Sequence, residues 1–357
     1  MRTWRPLGEA VPQVHAGRDP VFQGGSKTSE CETARWSDQR KRVGLDSNRL
    51  AGVRYLSNIE AIRTPDACFA NLPDFPWNPK YVDDLAGYEG LRMARIDEGP
   101  ADAERVFLCL HGQPAWSFLY RHMIPEFLNI GARVVAPDLF GFGRSDKPVN
   151  DDVYSFTFHR QSLIALVEAL DLKNITLVVQ DWGGILGLTI PPDMPDRFNR
   201  LLLMDTVLGL GGGTTEGFEA WRDFHGEHPD YDMAELFKTY VPGMSYEVAK
   251  AYAAPFPDAR YRAGTRRFPF LVMTKPDMEG VDVSRRAAGW WASDWQGDDF
   301  TAVGEMDELI PPWLMKRMHD ILGLKRAPMM LPAAGHFVQE THGAEVARAA
   351  LSAWSAN

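Results

Sequence analysis

Cysteine is scarce. The 357-residue chain has three, Cys31, Cys68 and Cys109, and no C-x-x-C pair. That is too few for a disulfide framework at this length, and a reducing, cytoplasmic setting is the expectation. No run of about 18 apolar residues occurs, so no membrane span is expected. The opening Met1-Arg2-Thr3-Trp4-Arg5-Pro6 lacks an apolar signal-peptide core. Positive charge is in deficit: the formal net charge is −10, which argues against a broad nucleic-acid surface. No H-x-x-x-H or comparable cluster suggests a metal. Gly141-Phe142-Gly143-Arg144-Ser145 lacks the third glycine of a dinucleotide fingerprint. The expectation is a monomer with no cofactor and no nucleic-acid or membrane partner.

What is present is an ordinary globular composition, 45% apolar and 24% charged. Residues 1–56 stand apart. They carry Arg2, Arg5, Arg18, Arg35, Arg40, Arg42, Arg49 and Arg54 with few apolar clusters, and read as a poorly ordered extension. Interspersed acids such as Glu9, Asp19 and Glu30 argue against an organelle transit segment.

From about residue 57, short β-branched runs alternate with helical patterns, the signature of a parallel sheet with crossover helices. The strand candidates are Val106–Leu110, Arg133–Ala136, Ile175–Gln180, Leu201–Met204, Phe300–Val303 and Pro328–Leu331. They are apolar nearly throughout, as strands buried on both faces are. His159 to Asp171 reads as a helix, with Leu163, Ile164, Val167 and Leu170 in a stripe and Arg160 and Glu168 off it. The rhythm breaks from about 208 to 287, which is aromatic-rich and has no strand runs. An insertion there, before the last two strands, is placed to form a helical cap over the strand ends. Segments 57–207 and 288–357 would then form the α/β core.

Residues 175–184 read Ile-Thr-Leu-Val-Val-Gln-Asp-Trp-Gly-Gly. A buried strand runs into Asp181, then into glycines that permit a tight turn, then into an apolar helix closed by Pro191-Pro192. The serine version of this elbow is G-x-S-x-G; here the apex is an acid. Helix capping is the bland role for such an Asp. Other parts stand in the right order, however. His111-Gly112-Gln113-Pro114 follows the first buried strand, and the backbone N–H groups of Gln113 and Trp182 are the candidate oxyanion donors. Gly335-His336-Phe337 follows the last strand and supplies a candidate general base. The acid that orients it is Asp307, after the strand at Phe300, or Asp205, after the strand at Leu201. Spacing does not separate them.

These residues carry a resemblance. From about Ser57 to the C-terminus the chain resembles the haloalkane dehalogenases, which have an α/β-hydrolase fold, and among them the branch with two halide-binding tryptophans. The similar stretches include Ile62-Arg63-Thr64-Pro65-Asp66, Leu110-His111-Gly112-Gln113-Pro114 and Asp138-Leu139-Phe140-Gly141-Phe142-Gly143. Val179-Gln180-Asp181-Trp182-Gly183-Gly184 and Ala334-Gly335-His336-Phe337-Val338-Gln339-Glu340 continue them. The resemblance implies Asp181 as nucleophile, His336 as base and Asp307 as the orienting acid. It implies Trp182 and Trp221 as halide ligands, and Phe218, Pro269, Val272 and Leu309 as pocket walls. One departure stands out. The third residue of the H-G-x-P loop is Glu or Asn in that family and Gln113 here. Its amide can also donate, so Trp221 could share or cede its role.

The implied chemistry suits the residues. A carbon–halogen bond at saturated carbon has no carbonyl to polarise and needs in-line displacement. A carboxylate with an unperturbed pKa of about 3.9 is already ionised at neutral pH. Water then cleaves the resulting ester with His336 as base, releasing alcohol, halide and a proton. A halide set free in a dry pocket needs donors, and an indole N–H is a donor without an acceptor. The nearest rival is an epoxide hydrolase, which would draw cap acids from Tyr231, Tyr240, Tyr246, Tyr252 or Tyr261. A non-catalytic binding protein on the same fold is the rival of a different class.

Overall fold

The computed structural model describes residues 59–355. The extension expected over residues 1–56 lies outside the described residues. The strands of the main sheet are β1 (Lys80–Val82), β2 (Met93–Glu98), β3 (Val106–Leu110), β4 (Arg133–Pro137), β5 (Ile175–Gln180), β6 (Phe198–Met204), β7 (Asp298–Gly304) and β8 (Met329–Leu331). Their spatial order in this eight-stranded sheet is β8-β7-β6-β5-β3-β4-β2-β1. β2 pairs antiparallel with β1 and β4. Every other neighbouring pair is parallel.

The helices are α1 (Ile124–Leu128), α2 (Phe156–Ala169), α3 (Trp182–Gly187), α4 (Glu216–Glu227), α5 (Met233–Tyr240), α6 (Tyr246–Ala253), α7 (Ala263–Leu271), α8 (Val281–Ser293), α9 (Pro312–Ile321) and α10 (Val338–Ser355). None among the described residues is long and apolar enough to cross a membrane.

The central strands explain their own position. All residues of β3 and β5 are buried, so helices must cover both faces. Each Leu or Val so buried contributes roughly 1.5–3 kcal/mol. The six expected strands are all present, β3 and β5 with the expected ends and the other four with ends shifted by one to three residues. Strand β2 escapes the periodicity because Arg95, Asp97 and Glu98 interrupt its apolar run. Those charges are absorbed locally: Arg133 Nε donates to Asp97 at 2.8 Å and Arg95 Nε at 3.2 Å. The helix expected from His159 begins earlier, at Phe156, because Ser155 caps it by accepting from the Phe158 amide at 3.1 Å. Arg160, off the apolar stripe, is nevertheless buried, where it donates to the Thr189 carbonyl at 2.8 Å and pairs with Asp193. Cys109 is free and buried.

Between β6 and β7 the described chain holds the helices α4 to α8 and no strand. The expected upper limit of the cap, residue 287, falls inside α8. Trp291 of that helix donates its indole N–H to the Leu188 carbonyl at 2.7 Å. The C-terminal part of α8 is thereby tied to the core it leads into.

Candidate active site

Strand β5 ends at Gln180 and helix α3 begins at Trp182, so Asp181 occupies the turn between them. Its backbone sits at φ 50°, ψ −126°, a conformation that side-chain-bearing residues rarely adopt. The turn is possible because the following residues lack side chains. A Cβ on Gly183 would lie 1.9 Å from the Leu110 carbonyl oxygen. The elbow is further tied by Thr206, whose hydroxyl donates to the Asp181 carbonyl at 2.6 Å.

The Asp181 side chain does not cap its helix. Its Oδ1 accepts the backbone N–H of Gln113 at 2.7 Å. Its Oδ2 faces His336 Nε2 at 3.6 Å. The loop after β3 reaches this close because Gly112 has no side chain: a Cβ there would meet Asp181 Oδ1 at 2.0 Å. The amide of Trp182 opens α3 and by position has no i−4 partner. His111 braces the same loop, its Nε2 accepting from the Leu139 amide at 3.0 Å.

His336 and Asp307 come together after β8 and β7. His336 Nδ1 lies 2.8 Å from Asp307 Oδ2. The other oxygen, Asp307 Oδ1, accepts the amides of Leu309 at 2.8 Å and Ile310 at 3.0 Å. Asp307 is thus fully engaged as a carboxylate. Asp205, the alternative read from the sequence, is fully buried but turned elsewhere, each of its oxygens 3.2 Å from the Gly304 amide. Burial, reinforced by the charge of Asp307, pushes its carboxyl well above the ordinary range. Burial alone would lower the His336 pKa, yet Asp307 and Asp181 outweigh it and hold the imidazole well above its usual value.

A small cavity opens over Asp181. It is lined by Gln113, Asp181, Trp182, Ile185, Phe218, Trp221, Pro269, Val272, Leu309 and Ile310, and leaves about 420 Å³ of unfilled space, part of it open to solvent. Every pocket residue expected from the sequence is therefore at its wall, and Ile185 and Ile310 are additions. None of Tyr231, Tyr240, Tyr246, Tyr252 or Tyr261 lines it. The hydroxyl of Tyr252, for instance, is committed to Glu340 at 2.6 Å. The two tryptophans differ. The Trp182 indole N–H has no acceptor among the described residues, while that of Trp221 donates to Gln113 Oε1 at 3.1 Å.

Two residues at this site went unnoticed in the sequence. Gln180, the last residue of β5, places its amide nitrogen 2.9 Å from His336 Nε2 and 3.1 Å from the His336 carbonyl. His225 stands behind Gln113. Its position one helical turn after Trp221 was the available signal.

The comparisons with known proteins agree with this geometry. The sequence profile of the alpha/beta hydrolase fold matches residues 105–343. A haloalkane dehalogenase of Psychrobacter cryohalolentis is 41% identical over 295 residues, 81% of this chain and 96% of that protein. One of Mycolicibacterium paratuberculosis is 39% identical over 298 residues, 82% of this chain and 98% of that protein. The tetrameric haloalkane dehalogenase structure from Paraglaciecola agarilytica NO2 is 50% identical with a TM-score of 0.80, covering 82% of this chain and 98% of that one. With a carboxylate at the elbow, a histidine–aspartate pair behind it and these relatives along nearly their whole length, the chain belongs to the haloalkane dehalogenase family, hydrolases that act on carbon–halogen bonds.

Proposed function

We propose that Asp181, His336 and Asp307 divide the hydrolysis of a small haloalkane among them in the cavity under α4 to α8. The observation that carries this reading is the split engagement of Asp181: one oxygen on the Gln113 amide, the other facing His336 Nε2. Oδ2, free of any amide, attacks the carbon bearing the halogen in line. The C–O bond forms as the carbon–halogen bond breaks, and the electron pair leaves with the halide. The apolar walls from Phe218, Pro269, Val272 and Leu309 hold the alkyl chain and keep water sparse. The halide leaves toward the tryptophan side of the cavity, where the Trp182 indole N–H is open and that of Trp221 meets Gln113 Oε1.

Water then attacks the ester carbonyl carbon of Asp181. His336 takes the proton of that water, and Asp307 stabilises the imidazolium. The amides of Gln113 and Trp182 receive the oxyanion, a service in which one donor is worth about 2.7–4 kcal/mol in other hydrolases. Alkylation also removes the negative charge of Asp181, one of the two charges that raise the His336 pKa. The imidazole is thereby released toward its neutral form at the step that needs a base. We assign 208–287 as the cap and 57–207 with 288–357 as the core in this scheme.

Halide release from 1,2-dibromoethane and 1-bromobutane tests the assignment, with Asp181→Asn measured beside wild type. Release by wild type and none by the variant supports it. Equal release by both would remove Asp181 from the nucleophile's place. As for assembly, the sequence gives a monomer as the expectation, while the Paraglaciecola agarilytica NO2 relative has a tetrameric structure. Light scattering that returned 40.1 kDa would support the monomer, and a multiple would replace it.

A further inference from the structure

Trp221 and Gln113 belong to a longer chain of hydrogen bonds behind the cavity wall. The Trp221 indole donates to Gln113 Oε1 at 3.1 Å. The Gln113 amide nitrogen faces two acceptors, the Thr265 carbonyl and His225 Nε2, each at 3.2 Å. His225 is itself oriented. Its Nδ1 lies 2.8 Å from the Trp221 carbonyl, which can only accept, so Nδ1 carries the proton and Nε2 the lone pair. The Tyr231 hydroxyl stands 3.1 Å from that same Nε2 and donates to it. Burial keeps this histidine neutral, pulling its pKa down to about 4.

These contacts leave the Gln113 amide one orientation. Reversed, its oxygen would face the Thr265 carbonyl and the His225 lone pair, and its NH₂ would face the Trp221 N–H. All three contacts would set like poles together. As the amide stands, a carbonyl oxygen holds the Trp221 proton at the wall of the halide side of the cavity. The only open indole donor there, among the described residues, is Trp182.

We propose that His225 is a positioning residue that sets halide affinity: with the Thr265 carbonyl it locks the Gln113 amide oxygen onto Trp221, so that the leaving halide is held chiefly by Trp182. The proposal rests on the halide-cavity reading above. Its consequence is a loose grip on the product ion. A halide gains Trp221 only by sharing its proton with Gln113 Oε1, and the neighbouring carbonyl dipole opposes the anion. Freeing the amide would give the halide a second donor and slow its exit.

Bromide binding to folded wild type, His225→Phe, Gln113→Leu, the double variant and Trp182→Phe, read by titration calorimetry and by bromide inhibition of 1-bromobutane turnover, tests this. His225→Phe is expected to tighten bromide by about fivefold, the scale of one hydrogen bond changing hands. Gln113→Leu should tighten it similarly, and the double variant should gain nothing beyond Gln113→Leu, since His225 acts through that amide. His225→Gln, which can accept from the Gln113 amide, should return the wild-type value. Unchanged or weaker bromide binding by His225→Phe would overturn the lock. If that variant fails to fold, Gln113→Leu decides: weaker binding would mean that the Gln113 N–H serves the halide, and the lock is wrong. Loss of bromide binding in Trp182→Phe is expected throughout. Its retention there would instead sink the halide-cavity reading.

Discussion

Gln180 Nε2 lies 2.9 Å from His336 Nε2, the ring nitrogen that receives a proton in the proposed ester hydrolysis. The same amide nitrogen donates to the His336 carbonyl at 3.1 Å, which orients it with its N–H groups toward the histidine. A donor on the lone pair of a base lowers its basicity. The other titratable groups facing the imidazole are Asp181, Asp307 and Asp205, of which the last has its carboxyl pushed well above the ordinary range by burial. Gln180→Leu is therefore expected to move the acidic limb of the ester-hydrolysis pH profile upward. Rapid-quench measurements of the alkyl-enzyme across pH would show it. An unmoved limb would reduce Gln180 to a packing role.

Asp307 and Asp205 make a paired prediction. Asp307→Asn should lower turnover by on the order of 10³- to 10⁴-fold and let the alkyl-enzyme accumulate, because the imidazolium loses its counter-charge. Asp205→Asn should stay within a few-fold of wild type. Asn resembles a protonated carboxyl in size and dipole, the form that burial and the charge of Asp307 favour at Asp205. Single-turnover kinetics on both variants separates the cases, and the opposite ranking would transfer the orienting role to Asp205.

The raised His336 pKa has a sign that can be followed. The charged imidazole is favoured in the fold by Asp307 and Asp181 against the cost of burial. Its contribution to stability is fully present below the unfolded value of about 6.5 and is lost as pH rises through the folded pKa. Removing one charge with Asp181→Asn should lower the folded pKa, so that this loss is complete at lower pH. Imidazole resonances followed by NMR in both proteins give the comparison directly. An unchanged titration would mean that Asp181 does not couple to the base.

Two glycine substitutions should part company. Gly183→Ala drives a methyl to 1.9 Å from the Leu110 carbonyl oxygen, where backbone must move. It should destabilise by about 1–3 kcal/mol or more and abolish halide release. Gly289→Ala, inside α8 with open space around it, should be neutral or stabilise by about 0.5–1 kcal/mol. Urea unfolding monitored by circular dichroism measures both.

Much of this protein was legible in one dimension because its signals are local. An apolar strand that ends in Asp181 and glycines can only be a tight turn. The order of that turn and of His336 after the last strand follows the chain. The buried strands β3 and β5 announce themselves by having a single polar residue, Thr176, before Gln180. What the sequence left open depended on partners distant along the chain. Strands β6 and β7 are neighbours, so both Asp205 and Asp307 arrive near His336. The geometry favours Asp307, which the loop amides of Leu309 and Ile310 turn toward the ring, while burial pushes the Asp205 carboxyl well above its usual range. The charged strand β2 was hidden because Asp97 finds Arg133 only once the sheet is formed. Likewise, a tryptophan in the sequence is a donor with no stated acceptor. Only packing α4 and α7 against the loop after β3 brought Gln113, His225 and Thr265 together and gave the Trp221 proton a place to go.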